Sequence, residues 1–171
     1  MTITQALHNA HFKSKQRAKI ISDALVGDHA SLAEFIYLYP GLNSKDKGTL
    51  LEGLEYATRL QTQLMSFDAF QLVVGCLSEK APRIKWEAAK IVRNTAHLFP
   101  KHLDQAINHL LDNATHTGAV VRWSAAYALI EIAALLEPIQ NDLLEVFIQI
   151  VEREEKSSIK SMYLKALSRV K

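Results

Sequence analysis

The most constraining feature of this sequence is a segment that recurs every 37 or 38 residues. The segment 83–92 aligns with 120–129 at a shift of 37, and six of the ten positions are identical or similar. A shift of 38 carries it onto 158–167, which keeps an aliphatic residue, a basic residue and a final apolar pair. A weaker copy begins at Lys47. A fixed period of this length indicates a repeat architecture, in which each unit buries its apolar face against the next unit.

The spacing of apolar residues indicates that each repeat is built from helices. Apolar residues recur at intervals of three and four through almost the whole chain, and strand-like alternation is rare. Capping and helix-breaking residues divide the chain into nine predicted helices. The first spans 4–26 and ends before Gly27, and Ser31 caps the second, which ends before Pro40. The others are predicted at 44–63, 67–78, 82–99, 101–114, 119–136, 138–153 and 157–170.

These helices predict an all-α fold in which short connections join antiparallel neighbours. Small residues at 88–89 and 125–126 allow adjacent helices to approach closely, and larger aliphatic residues fill the space one turn further on. We therefore expect one domain over 1–171. In this domain an N-terminal capping helix (1–30) precedes about four helix pairs (31–171).

The repeated residues resemble those of the HEAT-repeat family, a group of armadillo-like α-solenoids. In that family an acidic residue stands six positions before a Val-Arg pair of the second helix, and an Ala-Ala-x-Ala-Leu stretch follows. Here Glu79 stands six positions before Lys85, and Glu154 six before Lys160, each base preceded by Ile. The resemblance implies a right-handed α-α superhelix in which these acids and bases bond between adjacent repeats and serve the structure.

The resemblance covers 67–171 well and 31–63 loosely. Asp112 precedes Arg122 by ten positions, which indicates a four-residue insertion around 113–118. In the first pair the basic position holds Gly48, which departs from the family pattern.

Charge and cysteine content exclude several classes of function. Twenty basic residues against eighteen acidic ones leave a formal net charge of +2, so composition alone does not indicate a polyanion-binding protein. Cys76 is the only cysteine, so no internal disulfide calls for an oxidising compartment. No apolar stretch has the length of a signal core or of a membrane span of about 20 residues. We expect a cytoplasmic protein that does not enter the membrane.

No pattern of residues predicts catalysis or a bound cofactor. Cys76 lies in an apolar helical setting without a basic neighbour, which is typical of a buried packing cysteine. His102, His109 and His116 recur every seven residues, about 10.5 Å of helix rise, which is too far for two imidazoles to share one metal ion. The glycines are scattered and form no phosphate-binding loop. The sequence therefore predicts a protein that is not an enzyme and that has no catalytic residue, cofactor or metal.

A candidate binding surface follows from the resemblance, because the second helices of HEAT-like solenoids line the concave side. Lys90, Tyr127 and Lys165 are equivalent positions in successive repeats and predict one exposed row. Trp and Arg residues are enriched in binding hot spots. Such residues flank the row here: Trp86, Trp123 and Arg93. An alternative interpretation is that the two tryptophans only cover the contacts between repeats.

Two polar features are expected to face solvent. On the helix predicted at 82–99, five residues spaced by four and three form one stripe: Arg83, Glu87, Lys90, Asn94 and His97. Near the N-terminus, four bases precede the first acidic residue: Lys13, Lys15, Arg17 and Lys19. Such a run can contact phosphates, but it is more often the solvated face of a capping helix.

Three functions are compatible with these features. The first is a non-catalytic scaffold that binds a protein or peptide in a concave groove. The alternative is nucleic-acid binding by a reduced relative of the DNA-alkylation-repeat proteins, which are also HEAT-like and use aromatic and basic concave residues. The third is a subunit or fragment of a larger scaffold, because the chain stops at Lys171 within its last predicted helix. The sequence identifies neither the partner nor the oligomeric state.

Overall fold

The computed structural model describes residues 1–136 and 140–170, which contain ten α-helices and no strand. Short 3-10 turns follow the third, fourth and sixth helices. The helices are α1 Ile3–His8, α2 Ser14–Gly27, α3 Ala30–Leu38, α4 Ser44–Leu60, α5 Phe67–Cys76, α6 Pro82–Thr95, α7 Asp104–Asn113, α8 Ala119–Leu135, α9 Gln140–Arg153 and α10 Ser157–Ser168.

The ten helices form two layers. The even-numbered helices stand side by side in chain order, each packed closely on the next. The odd-numbered helices form the second layer and touch one another at fewer points. One continuous apolar core joins the layers from Ile3 to Tyr163. This arrangement confirms the predicted all-α repeat architecture. The junction between two adjacent even-numbered helices, including the end of the odd-numbered helix that connects them, is called a seam below.

The predicted N-terminal helix 4–26 is wrong in one respect, because the structure divides it into α1 and α2. The Asn9 side chain accepts a hydrogen bond from the His11 amide (3.0 Å), and Gln16 Oε1 accepts one from the Lys13 amide (2.9 Å), so the chain turns between the helices. Phe12 is the only large apolar residue between Leu7 and Ile20, so little apolar burial opposes this turn. As a result α1 and α2 form a further, shorter helix pair. The division into a cap and a repeat region stays a prediction.

Most other helix boundaries follow the expected capping chemistry. Asn43 and Ser66 cap α4 and α5, because their side chains accept hydrogen bonds from the amides three residues later. Pro82 lies in the first turn of α6, where its missing N–H leaves no hydrogen bond unmade. The predicted cap at Ser31 is wrong: α3 begins at Ala30, and Ser31 is buried within it. The predicted helix start at 138 lies outside the described residues.

None of the described helices has both the length and the apolar composition needed to cross a membrane.

Candidate binding surface

The even-numbered helices are held in register by one basic residue in each of α4, α6 and α8. Each base reaches an acceptor at or just beyond the end of the next odd-numbered helix. These three seam contacts are Lys47–Glu79, Lys85–Asn113 and Arg122–Glu154. Two of them are ion pairs between adjacent repeats, as the resemblance implied. They fix the helices whose outer side carries the candidate residues.

The seam contacts correct two details of the predicted repeat. In the first pair the basic position is held by Lys47, whose Nζ lies 3.3 Å from the Glu79 carboxylate, and not by Gly48. Gly48 instead gives room to Arg83, because a Cβ there would lie 2.8 Å from Arg83 Cδ. In the repeat that contains Arg122, the position equivalent to Glu79 and Glu154 is the buried Asn113, which accepts from Lys85. It is not Asp112, which is exposed.

Arg122 makes the most extensive of the seam contacts. Its Nε and Nη2 donate to the two Glu154 carboxylate oxygens at 3.0 and 3.2 Å. Its Nη1 donates to the carbonyls of His116 and Thr117, both at 3.0 Å, and so closes the longer loop that precedes α8. Burial alone would raise the pKa of the Glu154 carboxyl, but the hydrogen bonds from Arg122 and from the Lys156 amide outweigh burial and lower it.

The polar stripe of α6 does not face solvent along its length, contrary to the prediction. Its middle lies in the seam with α4, where Glu87 is 4% exposed and Asn94 8% exposed. Asn94 Nδ2 donates to Thr58 Oγ1 on α4 at 3.2 Å. Arg83 Nη2 donates to Glu52 on α4 at 2.8 Å. The sequence spacing correctly predicts that these residues share one face of α6. The middle of that face is buried because α4 packs against it.

Three of the six candidate residues form an aromatic stack on α6 and α8. The Trp123 and Tyr127 rings are stacked, with centroids 5.1 Å apart and planes inclined by 14°. The Arg93 guanidinium lies 4.6 Å from the Tyr127 centroid, a cation–π distance. Trp123 is 38% exposed, whereas Tyr127 is half-buried. The Trp123 ring is therefore exposed to solvent and is supported by Tyr127, which in turn contacts Arg93.

Two further candidates meet at a carboxylate that the sequence analysis had not assigned to the site. Trp86 Nε1 donates to Glu87 Oε1 at 3.0 Å, and Lys90 Nζ lies 2.9 Å from Glu87 Oε2. Burial raises the pKa of the Glu87 carboxyl, and Lys90 opposes this shift. The three-residue spacing of Glu87 and Lys90 on one helix is the signal that could have indicated this pair.

The last candidate, Lys165, is exposed on α10 and makes no ion pair or cation–π contact with the other five. Among the described residues, no carboxylate lies within 4 Å of its ammonium group. A second acid outside the candidate set, Glu131, lies 3.9 Å from Arg93 Nη2. It stands four residues after Tyr127, one helical turn further along α8.

The other residues considered for chemistry have structural surroundings. Cys76 is buried, its thiol donates to the Leu72 carbonyl at 3.2 Å, and burial raises its pKa to about 12. Within 1–136 and 140–170, no group of three His, Cys, Asp or Glu residues could hold a metal ion. In the N-terminal basic run, Lys19 pairs with Asp23 and Arg17 donates to the Asn9 carbonyl.

Comparison with known proteins supports the fold. No protein-family model and no curated protein matches the chain. A chain of the complex of CpcE and CpcF of phycocyanin lyase from Nostoc sp. PCC7120 superposes with a TM-score of 0.73 at 16% identity, over 96% of each chain. A designed armadillo repeat protein in complex with the peptide (KR)4 gives 0.73 at 14% identity, over 99% of this chain and 80% of that one. A computationally designed armadillo repeat protein for modular peptide recognition gives 0.71 at 16% identity, over 97% and 79%. The chain therefore has a HEAT/armadillo-like α-solenoid fold.

Proposed function

We propose that this chain, with its HEAT/armadillo-like fold, is a non-catalytic scaffold that binds a protein or peptide. The binding surface is the outer side of α4, α6, α8 and α10, called the even-helix face below. The even-numbered helices pack more closely than the odd-numbered ones, which supports a concave shape for this face. We assign to this face the six candidate residues, which lie on α6, α8 and α10: Trp86, Lys90, Arg93, Trp123, Tyr127 and Lys165.

The aromatic stack is the observation that carries this proposal. Trp123 is held by Tyr127, and Tyr127 by Arg93, so the exposed indole loses little conformational freedom when a partner covers it. Exposed Trp, Tyr and Arg side chains are also the residue types that dominate binding energies at interfaces. The alternative, in which tryptophans only cover the seams, accounts for Trp86 better than for Trp123, because Trp86 is less exposed and bonded to its own helix.

The similar solved structures support binding of a protein or peptide in general. One of them belongs to a complex of two different proteins, and two are designed repeat proteins for peptides. A non-catalytic role accords with the buried, high-pKa thiol of Cys76. The cytoplasmic location stays part of the proposal, and nucleic-acid binding stays its alternative.

An unbiased random-peptide library displayed on phage tests this function. Peptides selected on the wild-type chain are compared with Trp123→Ala, and with Tyr37→Ala as a matched control. Tyr37 is an aromatic residue on α3, in the odd-numbered layer, and it is 85% exposed. We expect Trp123→Ala to weaken the selected peptides by about tenfold or more, the loss of a hot-spot residue. Tyr37→Ala should leave the affinity for the selected peptides unchanged. Peptides that depend on Tyr37 alone, or the absence of any selected peptide, would contradict the proposal.

Duplex DNA is the probe for the alternative. At about 150 mM salt, non-specific attraction gives dissociation constants of roughly 10⁻⁴ to 10⁻⁶ M. We expect this chain to bind no more tightly than that and to lose binding as salt rises. Submicromolar affinity that falls when Lys90 and Lys165 are replaced would favour the nucleic-acid function instead.

A further inference from the structure

The charges of the even-helix face are unevenly distributed along the stack. From α4 to α8, four bases each lie within 4 Å of a carboxylate of the chain itself. These pairs are Arg59–Glu55, Arg83–Glu52, Lys90–Glu87 and Arg93–Glu131. The carboxylates of these four pairs are therefore already neutralised by the chain's own bases.

The α10 end of the same face is different. Lys165 corresponds to Tyr127 in the repeat, and Arg169, just after α10, corresponds to Glu131. Both bases are exposed, and no carboxylate of the described residues lies within 4 Å of either charged group. Two uncompensated positive charges thus stand one helix beyond the exposed ring of Trp123.

The distance between Trp123 and Lys165 corresponds to a few residues of an extended peptide. Adjacent packed helices are about 10 Å apart, and one helical turn adds about 5.4 Å along the axis. Because Lys165 is equivalent to Tyr127, and Trp123 lies one turn from Tyr127, the separation of Trp123 and Lys165 on their backbones is roughly 11 to 12 Å. An extended chain covers this distance in three to four residues at about 3.3 Å each.

Resting on the proposed function, we propose that the bound segment is acidic and carries an aromatic residue. Its ring adds to the aromatic stack on the open side of Trp123. A carboxylate three or four residues away pairs with Lys165 and Arg169. This preference is opposite to that of the similar designed armadillo protein, which was solved with the basic peptide (KR)4. A basic peptide would have to compete with the chain's own bases for the carboxylates of the four pairs named above.

Three synthetic peptides of equal length, with blocked ends, test this specificity by calorimetric titration at about 150 mM salt. One combines Glu with Trp at a spacing of three and four, one replaces each Trp by Ala, and the third is (KR)4. We expect the Glu-Trp peptide to bind at least about tenfold more tightly than either of the others, since both the stack and the charges contribute.

Two variants locate the binding. Trp123→Ala should reduce the affinity for the Glu-Trp peptide to that of the Glu-Ala peptide. Lys165→Glu should weaken binding of the Glu-Trp peptide by about tenfold, and the size of this loss of affinity should depend on the salt concentration. Lys101→Glu is the matched control, because Lys101 is an exposed lysine before α7 in the odd-numbered layer. It should leave the affinity unchanged, and thermal unfolding confirms that all three variants are folded.

The outcomes separate this inference from the proposed function. Tighter binding of (KR)4, or equal binding of the Glu-Trp peptide to the wild type and Lys165→Glu, would overturn the acidic specificity. If library selection still gives Trp123-dependent peptides that are not acidic, the scaffold function stands while this inference fails. If selection gives none and no synthetic peptide binds, both fail.

Discussion

The seam between α2 and α4 and the seam between α6 and α8 achieve close helix packing with different residues. In the first seam, Gly53 faces α2 so closely that a Cβ would lie 2.5 Å from Ile21 Cγ2 and 3.0 Å from the Ala18 carbonyl. In the second seam, α6 and α8 carry buried alanine pairs at 88–89 and 125–126. The comparison teaches that two even-numbered helices can pack side by side without the repeated alanine motif, so the helix packing extends further along the chain than the repeated sequence does.

The largest effect that distinguishes the two seams should come from Gly53→Ala. In a helix this change normally stabilises by about 0.5 to 1 kcal/mol. Here we expect a loss of about 2 to 3 kcal/mol in the free energy of unfolding, because the new methyl meets the Ala18 backbone, which cannot rotate away. Urea denaturation measures the change.

Gly75→Ala is the matched control for this prediction. Gly75 lies within α5, and a Cβ there would have no atom within 4 Å, so the usual helix stabilisation of about 0.5 to 1 kcal/mol should appear. A stable Gly53→Ala variant, with the same gain as Gly75→Ala, would show that the α2–α4 seam is not close-packed in solution.

This comparison also explains how much of the fold the sequence could predict. The strong repeat over 83–92, 120–129 and 158–167 led directly to the helix pairs, and the caps at Asn43 and Ser66 gave correct helix starts. The pair α1–α2 was missed because no glycine or proline marks the turn at 9–13. The seam of α2 with α4 also uses a lone glycine, which has no periodic signature. Sequence spacing alone cannot show which small residue faces a neighbouring helix.

The candidate binding surface was predictable only in part, for a related reason. Equivalent repeat positions grouped Lys90, Tyr127 and Lys165, and that grouping depends only on the period. The burial of Glu87 depends on α4 lying against α6, and the contact between Arg93 and Tyr127 depends on the rotation of α6 relative to α8. Both are long-range packing outcomes, which a local helical pattern does not determine.

An intermediate effect is expected from Glu154→Gln at the seam between α8 and α10. The glutamine keeps one acceptor oxygen but loses the charge and one of the two hydrogen bonds from Arg122. Hydrogen bonds to charged groups contribute about 1.5 to 3 kcal/mol, so we expect a loss near about 1.5 kcal/mol at pH 7. Urea denaturation at pH 7 measures the difference.

The same variant should also change the dependence of stability on pH. The pKa of the Glu154 carboxyl is lowered in the folded state, below its ordinary value of 4.5. Its contribution is therefore fully present above pH 4.5 and is lost as the pH falls through the lower folded value. The difference between wild type and Glu154→Gln should shrink as the pH falls from 7 to below 4.5. A difference that is constant over this range would contradict the role of the charge.

The smallest effect is expected from Asn113→Asp, which makes the α6–α8 seam contact resemble the other two. At present Lys85 donates to the Asn113 amide oxygen at 3.0 Å, and burial lowers the pKa of the Lys85 ammonium. Asn113 Nδ2 also donates to the Leu77 carbonyl at 3.0 Å, a bond that a carboxylate cannot make. Asn113 is buried, so the new ion pair must offset both the lost hydrogen bond and the desolvation of the carboxylate, and we expect the free energy of unfolding to fall by about 1 kcal/mol.

The informative measurement on Asn113→Asp is therefore the pKa of Lys85, followed by NMR of its side chain. A carboxylate beside Nζ favours the charged ammonium, so the pKa should rise from its lowered value toward or above the ordinary 10.5. Because a lysine with a raised folded pKa binds its proton more tightly in the folded state, the contribution of the new ion pair to stability should be fully present below the ordinary pKa of 10.5 and should be lost as the pH rises through the folded pKa. An unchanged Lys85 pKa, together with a loss above about 2 kcal/mol, would show that this seam depends on the amide donor to Leu77 and not on the partner of the base.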